Sequence, residues 1–339
     1  MTRVLIVRLS AMGDLVQSLG AVRALHEAQP SLELHFVTQR ENAPLLEHMP
    51  FVASVVPHDR RGGIRALLGA TRAAMRRLQC EVALDLQGNW KSAACAWLSG
   101  APARIGAAGP WRQEPWSQAL LTKRVVVDGP RHPGLVAHSI VRALAPSARA
   151  LPPRLVATEE EVEIAAQTVR DAGVEPGKPF LALLLGSPGD PRSLRSAAVG
   201  EAMAGRLPVL AVLGPQNGDV QVPPGAFVLQ QSRGQLRRLV GLGEVIRRCG
   251  GEVWGADQGP THVLAAVGAK ATVMFGPQDP RRTAPPSGRV LQHPAPPACM
   301  PCSKMRCSHA EGPVCMNFAP SQGREVLAAP WLAAAQPAE

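Results

Sequence analysis

The sequence predicts an α/β fold made of two doubly wound, Rossmann-like domains, and three observations predict it. The chain has 339 residues, and at roughly 100–200 residues per domain that length suits two domains. Short apolar runs alternate with helix-length segments through both halves, the signature of parallel strands joined by helical crossovers. Hydrophobic residues make up 46% and charged residues 18%, enough apolar material for two cores and too much for a disordered chain.

The elements follow in order. "RVLIVRL" (3–9) reads as a buried strand, with a helix from about Asp14 to Ala28 that Pro30 ends. "LELHFVT" (32–38) is the second strand, a helix follows near 41–48, and "ASVVPH" (53–58) is the third strand. An Arg-rich helix is expected over 63–79. "CEVALDLQG" (80–88) is the fourth strand with a Gly-bearing turn, "WKSAACAWLSG" (90–100) the next helix, and "ARIG" (103–106) a further strand. The stretch 145–160 reads as a linker. The second series comprises a helix near 159–172, "FLALLLG" (180–186), a helix near 195–205, "PVLAVLG" (208–214) and "AFVLQ" (226–230). A helix near 234–249, "GEVWGA" (251–256), a helix near 260–268 and "ATVMFG" (271–276) complete it. The expected division is 1–154, 155–320 and a C-terminal tail 321–339 that packs back on the first domain. In open parallel sheets ligands bind beyond the carboxyl ends of the strands, so a shared site would lie in a central cleft that both domains face.

Charge narrows the partners. The net charge is +10, and residues 1–154 hold 19 Lys/Arg against 10 Asp/Glu. The excess therefore sits in the first half, and it suits an anionic partner unless it is simply a solvated basic surface. With no Tyr, 6 Phe and 6 Trp, and no recognisable nucleic-acid module, nucleic acid is not the expected partner. No apolar run approaches the ~18–20 residues that span a bilayer, and Gly13 and Asp14 interrupt the first apolar stretch too early for a signal peptide. The expectation is a cytoplasmic protein.

Four stretches carry candidate chemistry. "SAMGDL" (10–15) places a carboxylate where a strand turns into a helix; Asp14 there is a helix cap or a working acid–base group. "WGADQGPTHVLAAVGA" (254–269) ends a strand and opens a helix, with Pro260 suited to the first turn and Gly259 permitting close approach. Free N–H groups at such a helix start bind anions, and Asp257 beside them would accept hydrogen bonds from sugar hydroxyls. A nucleotide-sugar diphosphate fits both needs; a capped helix with Asp257 as cap and His262 as packing is the plainer alternative. "LGSPGDPRSLRS" (185–196) offers glycines and two cations, Arg192 and Arg195, for phosphate charge, or is an ordinary Gly/Pro loop. "FGPQDPRRTAPP" (275–286) ends another strand on the same sheet edge.

"VLIVRLSAMGDLVQSLGAVRAL", "DLQGNWKSA", "DQGPTHVLAAVGA", "FGPQDPRRTAP" and "CMPCSKMRC…CM" occur in an order that resembles the ADP-heptose:lipopolysaccharide heptosyltransferases, glycosyltransferase family 9. The resemblance covers nearly the whole chain and implies a GT-B fold and an inverting, metal-independent transfer without a required cofactor. It implies that the first domain holds the lipopolysaccharide core or a lipid A precursor, and that the second holds ADP-heptose or another nucleotide sugar. Work at the inner face of the cytoplasmic membrane, with peripheral membrane contact, follows from such an acceptor. It assigns Asp14 as general base. For the donor it points to Gly186, Arg192, Ser193, Arg195, Gln216, Asp257, Gln258, Gly259 and His262; for the acceptor, to Gly13, Arg60, Arg61 and Lys91.

This chain departs from the family pattern in places. A Lys usual in the donor loop is replaced near Ser193, flanked by Arg192 and Arg195. Gln216 and Asn217 stand where a donor-binding Glu is common, Gln258 replaces a Ser or Thr, and Gly20 stands where Pro is common. A non-catalytic or donor-altered relative that binds a sugar nucleotide or lipopolysaccharide is therefore the alternative. A dinucleotide oxidoreductase is disfavoured, because the first turn lacks G-x-G-x-x-G. Cys299, Cys302, Cys307 and Cys315, spaced C-x₂-C-x₄-C-x₇-C with His309 among them, resemble a structural zinc site or pack as reduced thiols.

Overall fold

The structure, a computed structural model, describes residues 2–129, 131–187, 189–215, 220–232 and 234–327. It divides into two compact units, with the boundary between Pro153 and Arg154.

Unit 1 is built on a parallel sheet of six strands: β1 (Arg3–Val7), β2 (Glu33–Gln39), β3 (Ser54–His58), β4 (Val82–Asp85), β5 (Ala103–Ala107) and β6 (Lys123–Val125). Their order is β3-β2-β1-β4-β5-β6. Val4 through Val7 are fully buried, as expected of a central parallel strand covered on both faces. The helices are α1 (Met12–Ala28), α2 (Gly63–Ala66), α3 (Arg72–Arg77), α4 (Trp90–Leu98) and α5 (Pro133–Arg142). Asn89 and Ser92 form a reciprocal capping box at the start of α4, which satisfies two otherwise orphaned N–H groups.

Unit 2 repeats the plan. Its strands are β7 (Leu181–Leu184), β8 (Val209–Leu213), β9 (Phe227–Gln230), β10 (Glu252–Ala256), β11 (Lys270–Phe275), β12 (Arg289–Gln292) and β13 (Arg324–Val326). The order is β13-β12-β11-β10-β7-β8-β9, parallel except for the antiparallel pair β12–β13. Its helices are α6 (Glu159–Asp171), α7 (Ser196–Ala204), α8 (Leu236–Cys249), α9 (Gly259–Val267) and the single turn α10 (Pro280–Thr283). Thr158 and Glu161 box the start of α6, and left-handed Gly250 and Gly268 end α8 and α9.

Both sheets therefore share one wiring. Within each unit the first strand lies between the second and the fourth, and the chain reverses its direction of travel across the sheet beside that first strand. That topological switch point is where ligands bind in open α/β sheets.

Three local expectations change. The helix expected near 41–48 is a 3₁₀ turn, Ala43–Leu46. The Arg-rich helix over 63–79 is broken: α2 and α3 are joined by a π turn, Leu67–Thr71, in which Gly69 adopts φ −90°, ψ −107°, a geometry that ends regular hydrogen bonding. Gly20, where the family favours Pro, has a packing reason. A Cβ there would lie 2.0 Å from the Leu151 carbonyl oxygen, so the 151–152 segment runs against α1 at a distance only glycine allows. In the stretch read as a C-terminal tail, residues 324–326 form β13; residues 328–339 lie outside the described residues.

Candidate functional site

In unit 1 the candidate residues gather at the carboxyl ends of β1 and β4, the two strands at the switch point. Asp14 lies in the first turn of α1 but does not cap it: Ala11 holds the cap position, and no side chain caps the helix there. Its Oδ2 is instead 2.6 Å from Nη2 of Arg8, whose side chain is 5% exposed against 33% for Asp14. Arg8 Nη1 donates to the Leu86 carbonyl at 2.6 Å. The guanidinium is thus fixed by β4's exit loop and presents one edge to Asp14, which leaves the carboxylate partly open to solvent.

The β4 loop is fixed from below. Asp85 and Arg112 pair at 2.7 Å with both side chains fully buried. Asp85 Oδ1 accepts from the N–H groups of Gln87 and Gly88, and Arg112 donates to Ser117 Oγ and the Asn89 carbonyl. Gln87 then reaches across to β1, where its Oε1 accepts from the N–H of Leu9 at 2.7 Å and of Ser10 at 3.2 Å. A continuous hydrogen-bonded path therefore runs from a buried ion pair to the loop that leads into α1 and Asp14. Gln87 belongs to the quoted "DLQGN" segment, but local spacing gives no hint of a partner 78 positions away.

An open pocket of about 550 Å³ adjoins this loop, lined in part by Ser10, His58, Arg60, Gln87, Trp90 and Lys91. Of the four acceptor candidates, Arg60 and Lys91 line it, while Gly13 and Arg61 do not. Lys91 Nζ sits 5.8 Å from the Trp90 ring centroid, a cation–π distance. His58, unanticipated in the sequence, is 8% exposed and bonds Thr71 Oγ1 through Nδ1. Burial first, then the nearby Lys91 charge, lowers its pKa below the ordinary histidine value, against the opposing pull of Asp59 and Glu41.

In unit 2 the donor candidates gather at the equivalent ends of β7 and β10. Asp257 is 7% exposed. Its Oδ1 pairs with His262 Nε2 at 2.9 Å, its Oδ2 accepts from Thr283 Oγ1 at 3.0 Å, and its main-chain oxygen accepts from Arg192 Nη1. Burial pushes its carboxyl pKa upward, but the hydrogen bonds from His262 and Thr283 and the charges of His262 and Arg192 outweigh that and hold it below the ordinary value. Asp257 therefore does not cap α9; Gln258 occupies the cap position without a side-chain cap bond. Gly259 and Pro260 form the helix start, and the 275–286 stretch contributes through Thr283.

The 185–196 loop is organised by a residue that local reading passed over, Asp190. Arg192 forms a two-toothed pair with it, Nε to Oδ1 at 3.0 Å and Nη2 to Oδ2 at 2.7 Å, and Gln258 Nε2 approaches Oδ2 at 3.4 Å. The charge of Arg192 is thereby matched within the loop. Arg195 makes one long bond to the Asp190 carbonyl, and its buried Nε has no hydrogen-bond partner among the described residues; it is the less compensated cation. Ser193 is buried and donates to the Ser187 carbonyl. Gly186, at φ +87°, packs against Ser193 and Gln258 so closely that a Cβ would lie 2.4 Å from Ser193 Oγ. Gln216 lies outside the described residues.

The cysteine cluster does not support the zinc expectation. Cys299, Cys302, Cys307, Cys315 and His309 border one small depression, yet among the described residues no group of three or more His, Cys, Asp or Glu side chains is placed to hold a metal ion. Burial, reinforced by the neighbouring thiols, pushes the Cys315 thiol up to about 11. Among the described residues no helix is long and apolar enough to cross a membrane.

Comparison with known proteins places this geometry. The model of glycosyltransferase family 9 (heptosyltransferase) matches residues 237–311, which include the whole Asp257–His262 motif. Lipopolysaccharide heptosyltransferase 1 of Pseudomonas aeruginosa is 23% identical, with 91% of this chain and 88% of that protein aligned. Among solved structures, the glycosyl transferase family 9 protein of Veillonella parvula superposes with TM-score 0.71 at 18% identity, covering 86% of this chain and 85% of that one. The E. coli ADP-heptose lps heptosyltransferase II gives TM-score 0.67 at 20% identity, covering 86% and 90%. Motif order, matched segment, curated relative and fold agree: the chain is a glycosyltransferase of GT-B fold, related to the family 9 heptosyltransferases.

Proposed function

We propose that this protein transfers a heptose from ADP-heptose to a lipopolysaccharide core acceptor, inverting the anomeric centre and using no metal. Asp14 takes the proton of the acceptor hydroxyl as that oxygen bonds to the anomeric carbon. The bond from the anomeric carbon to the diphosphate breaks, and ADP leaves with the electron pair. A positioned base of this kind contributes ~10²–10⁴-fold to the rate. The diphosphate charge is met by the N–H groups opening α9 and by Arg195, with Asp257 fixing His262 beside them. The unit 1 pocket takes the acceptor, whose phosphates suit Arg60 and Lys91. A lipid-linked acceptor of this class is met at the inner face of the cytoplasmic membrane.

The observation that carries the reading is the placement of Asp14. It is not spent as a helix cap, and a buried arginine that is itself held from β4 orients its carboxylate at the switch point. The test is mass spectrometry of heptose-deficient lipopolysaccharide incubated with the protein and ADP-heptose. A heptosylated product formed in the presence of a chelator is expected; product that requires an added divalent ion contradicts the metal-independent route.

The compensated Arg192–Asp190 pair favours one second reading, a relative that binds a different sugar nucleotide or binds without transfer. Under it, calorimetry detects ADP binding while no product forms with ADP-heptose.

A further inference from the structure

The broken helix over 60–77 has an outer face of which the proposed chemistry uses only the end at the pocket, Arg60 and Ile64. Its inner face is accounted for: Leu67, Thr71 and Met75, at four-residue spacing, are 4%, 3% and 0% exposed, and Leu67 and Met75 join the core against β1 and α4. Outward, Ile64 and Leu68 lie one turn apart and are 56% and 50% exposed. Around them stand the exposed side chains of Arg60, Arg61, Arg65, Arg72 and Arg77. The stretch 60–77 contains six arginines and no Asp or Glu.

Single exposed apolar residues need no explanation. Two adjacent ones inside a ring of arginines that form no ion pair among the described residues are different, because that pairing satisfies the two requirements of an interfacial segment. Apolar side chains enter the boundary between headgroup and acyl chain, and cations meet anionic headgroups. The same segment lines the unit 1 pocket through Arg60, Gly63, Ile64 and Leu67, so whatever surface it rests on is brought to the pocket mouth.

We propose that the outer face of residues 60–77 docks on the surface of an anionic lipid bilayer, with Ile64 and Leu68 entering the interface and Arg61, Arg65 and Arg72 on the headgroups. The proposal deepens the acceptor reading above, on which its purpose rests, since a lipid-linked acceptor would then be offered to the pocket at the membrane. Its test needs no transfer measurement.

The experiment is co-sedimentation of the full chain with phosphatidylcholine–phosphatidylglycerol vesicles and with pure phosphatidylcholine vesicles. Binding to the anionic vesicles only, weakening as salt rises, is expected. Leu68→Asp, and separately Arg65→Glu with Arg72→Glu, should each lower the partition coefficient roughly tenfold or more without changing the melting temperature or ADP binding. The same charge change elsewhere in unit 1, Arg142→Glu with Arg149→Glu, should leave most of the binding. Absence of binding to anionic vesicles overturns the proposal. So does equal loss in the two double-charge variants, which would reduce the effect to net charge, or wild-type binding in Leu68→Asp. Lost vesicle binding with transfer intact on a soluble acceptor separates this face from the active site; vesicle binding without any transfer leaves this proposal standing and removes the acceptor reading.

Discussion

Asp85→Asn should destabilise unit 1 far more than a one-atom change suggests. The side chains of Asp85 and Arg112 are fully buried and 2.7 Å apart. The substitution keeps the shape and an acceptor for the Gln87 and Gly88 N–H groups, but strands a guanidinium in the interior. Breaking one side of a buried pair costs about 3–5 kcal/mol. For a domain of this size, 1 kcal/mol moves the melting point by about 2–4 °C, which gives a drop of roughly 6–20 °C. Differential scanning calorimetry reads it directly. The control is the double variant Asp85→Asn/Arg112→Met. Removing the stranded charge should recover part of the loss, so the double falls short of the sum of the singles by about 1–3 kcal/mol. A single-variant cost below about 1 kcal/mol, or strict additivity in the double, would refute the claim that this pair supports the β4 loop.

Further outcomes follow from other parts of the chain. Gly20→Ala places a methyl 2.0 Å from the Leu151 carbonyl oxygen and should cost about 1–3 kcal/mol as an overpacked contact, measured by urea unfolding. Glu244 has its pKa lowered to about 2, first by its hydrogen bond from Arg247; burial opposes this as the next-largest effect, and the hydrogen bond from Arg248 with the charges of both arginines outweighs it. Its stabilising contribution is therefore complete above its ordinary value of 4.5 and lost as pH falls towards about 2; Glu244→Gln should flatten the acid limb of the stability profile there. Arg195→Ala removes the less compensated donor-loop cation, and loss of a charge-assisted contact of about 1.5–3 kcal/mol weakens ADP binding roughly 10–100-fold. Calorimetry showing unchanged affinity would shift that role away from Arg195.

The central strands were legible because runs such as "VLIV" and "LALLL" are buried on both faces and need no tertiary information. Elements with weak local signals escaped. β6 and β13 have three residues each, and α5 opens on His132, whose ring nitrogen accepts from Gly134 N–H, a cap outside the usual Ser/Thr/Asn/Asp set. The break at Gly69 escaped because Leu67, Thr71 and Met75 keep a helical spacing across it. At the site, the motifs marked where chemistry gathers, while the contacts that organise it join distant stretches. Gln87 holds Leu9 and Ser10, Arg192 reaches Asp257, and Thr283 reaches Asp257. Local spacing also passed over the partner of Arg192, Asp190, which lies only two positions away but reads as turn chemistry.

The central claim, that Asp14 is the base of a glycosyl transfer, is tested most directly by single-turnover transfer from ADP-heptose in wild type and Asp14→Asn, with ADP affinity and melting temperature measured on the same samples. The expected result is a rate lower by about 10²–10⁴-fold with affinity and fold retained. Transfer by Asp14→Asn at the wild-type rate would contradict it.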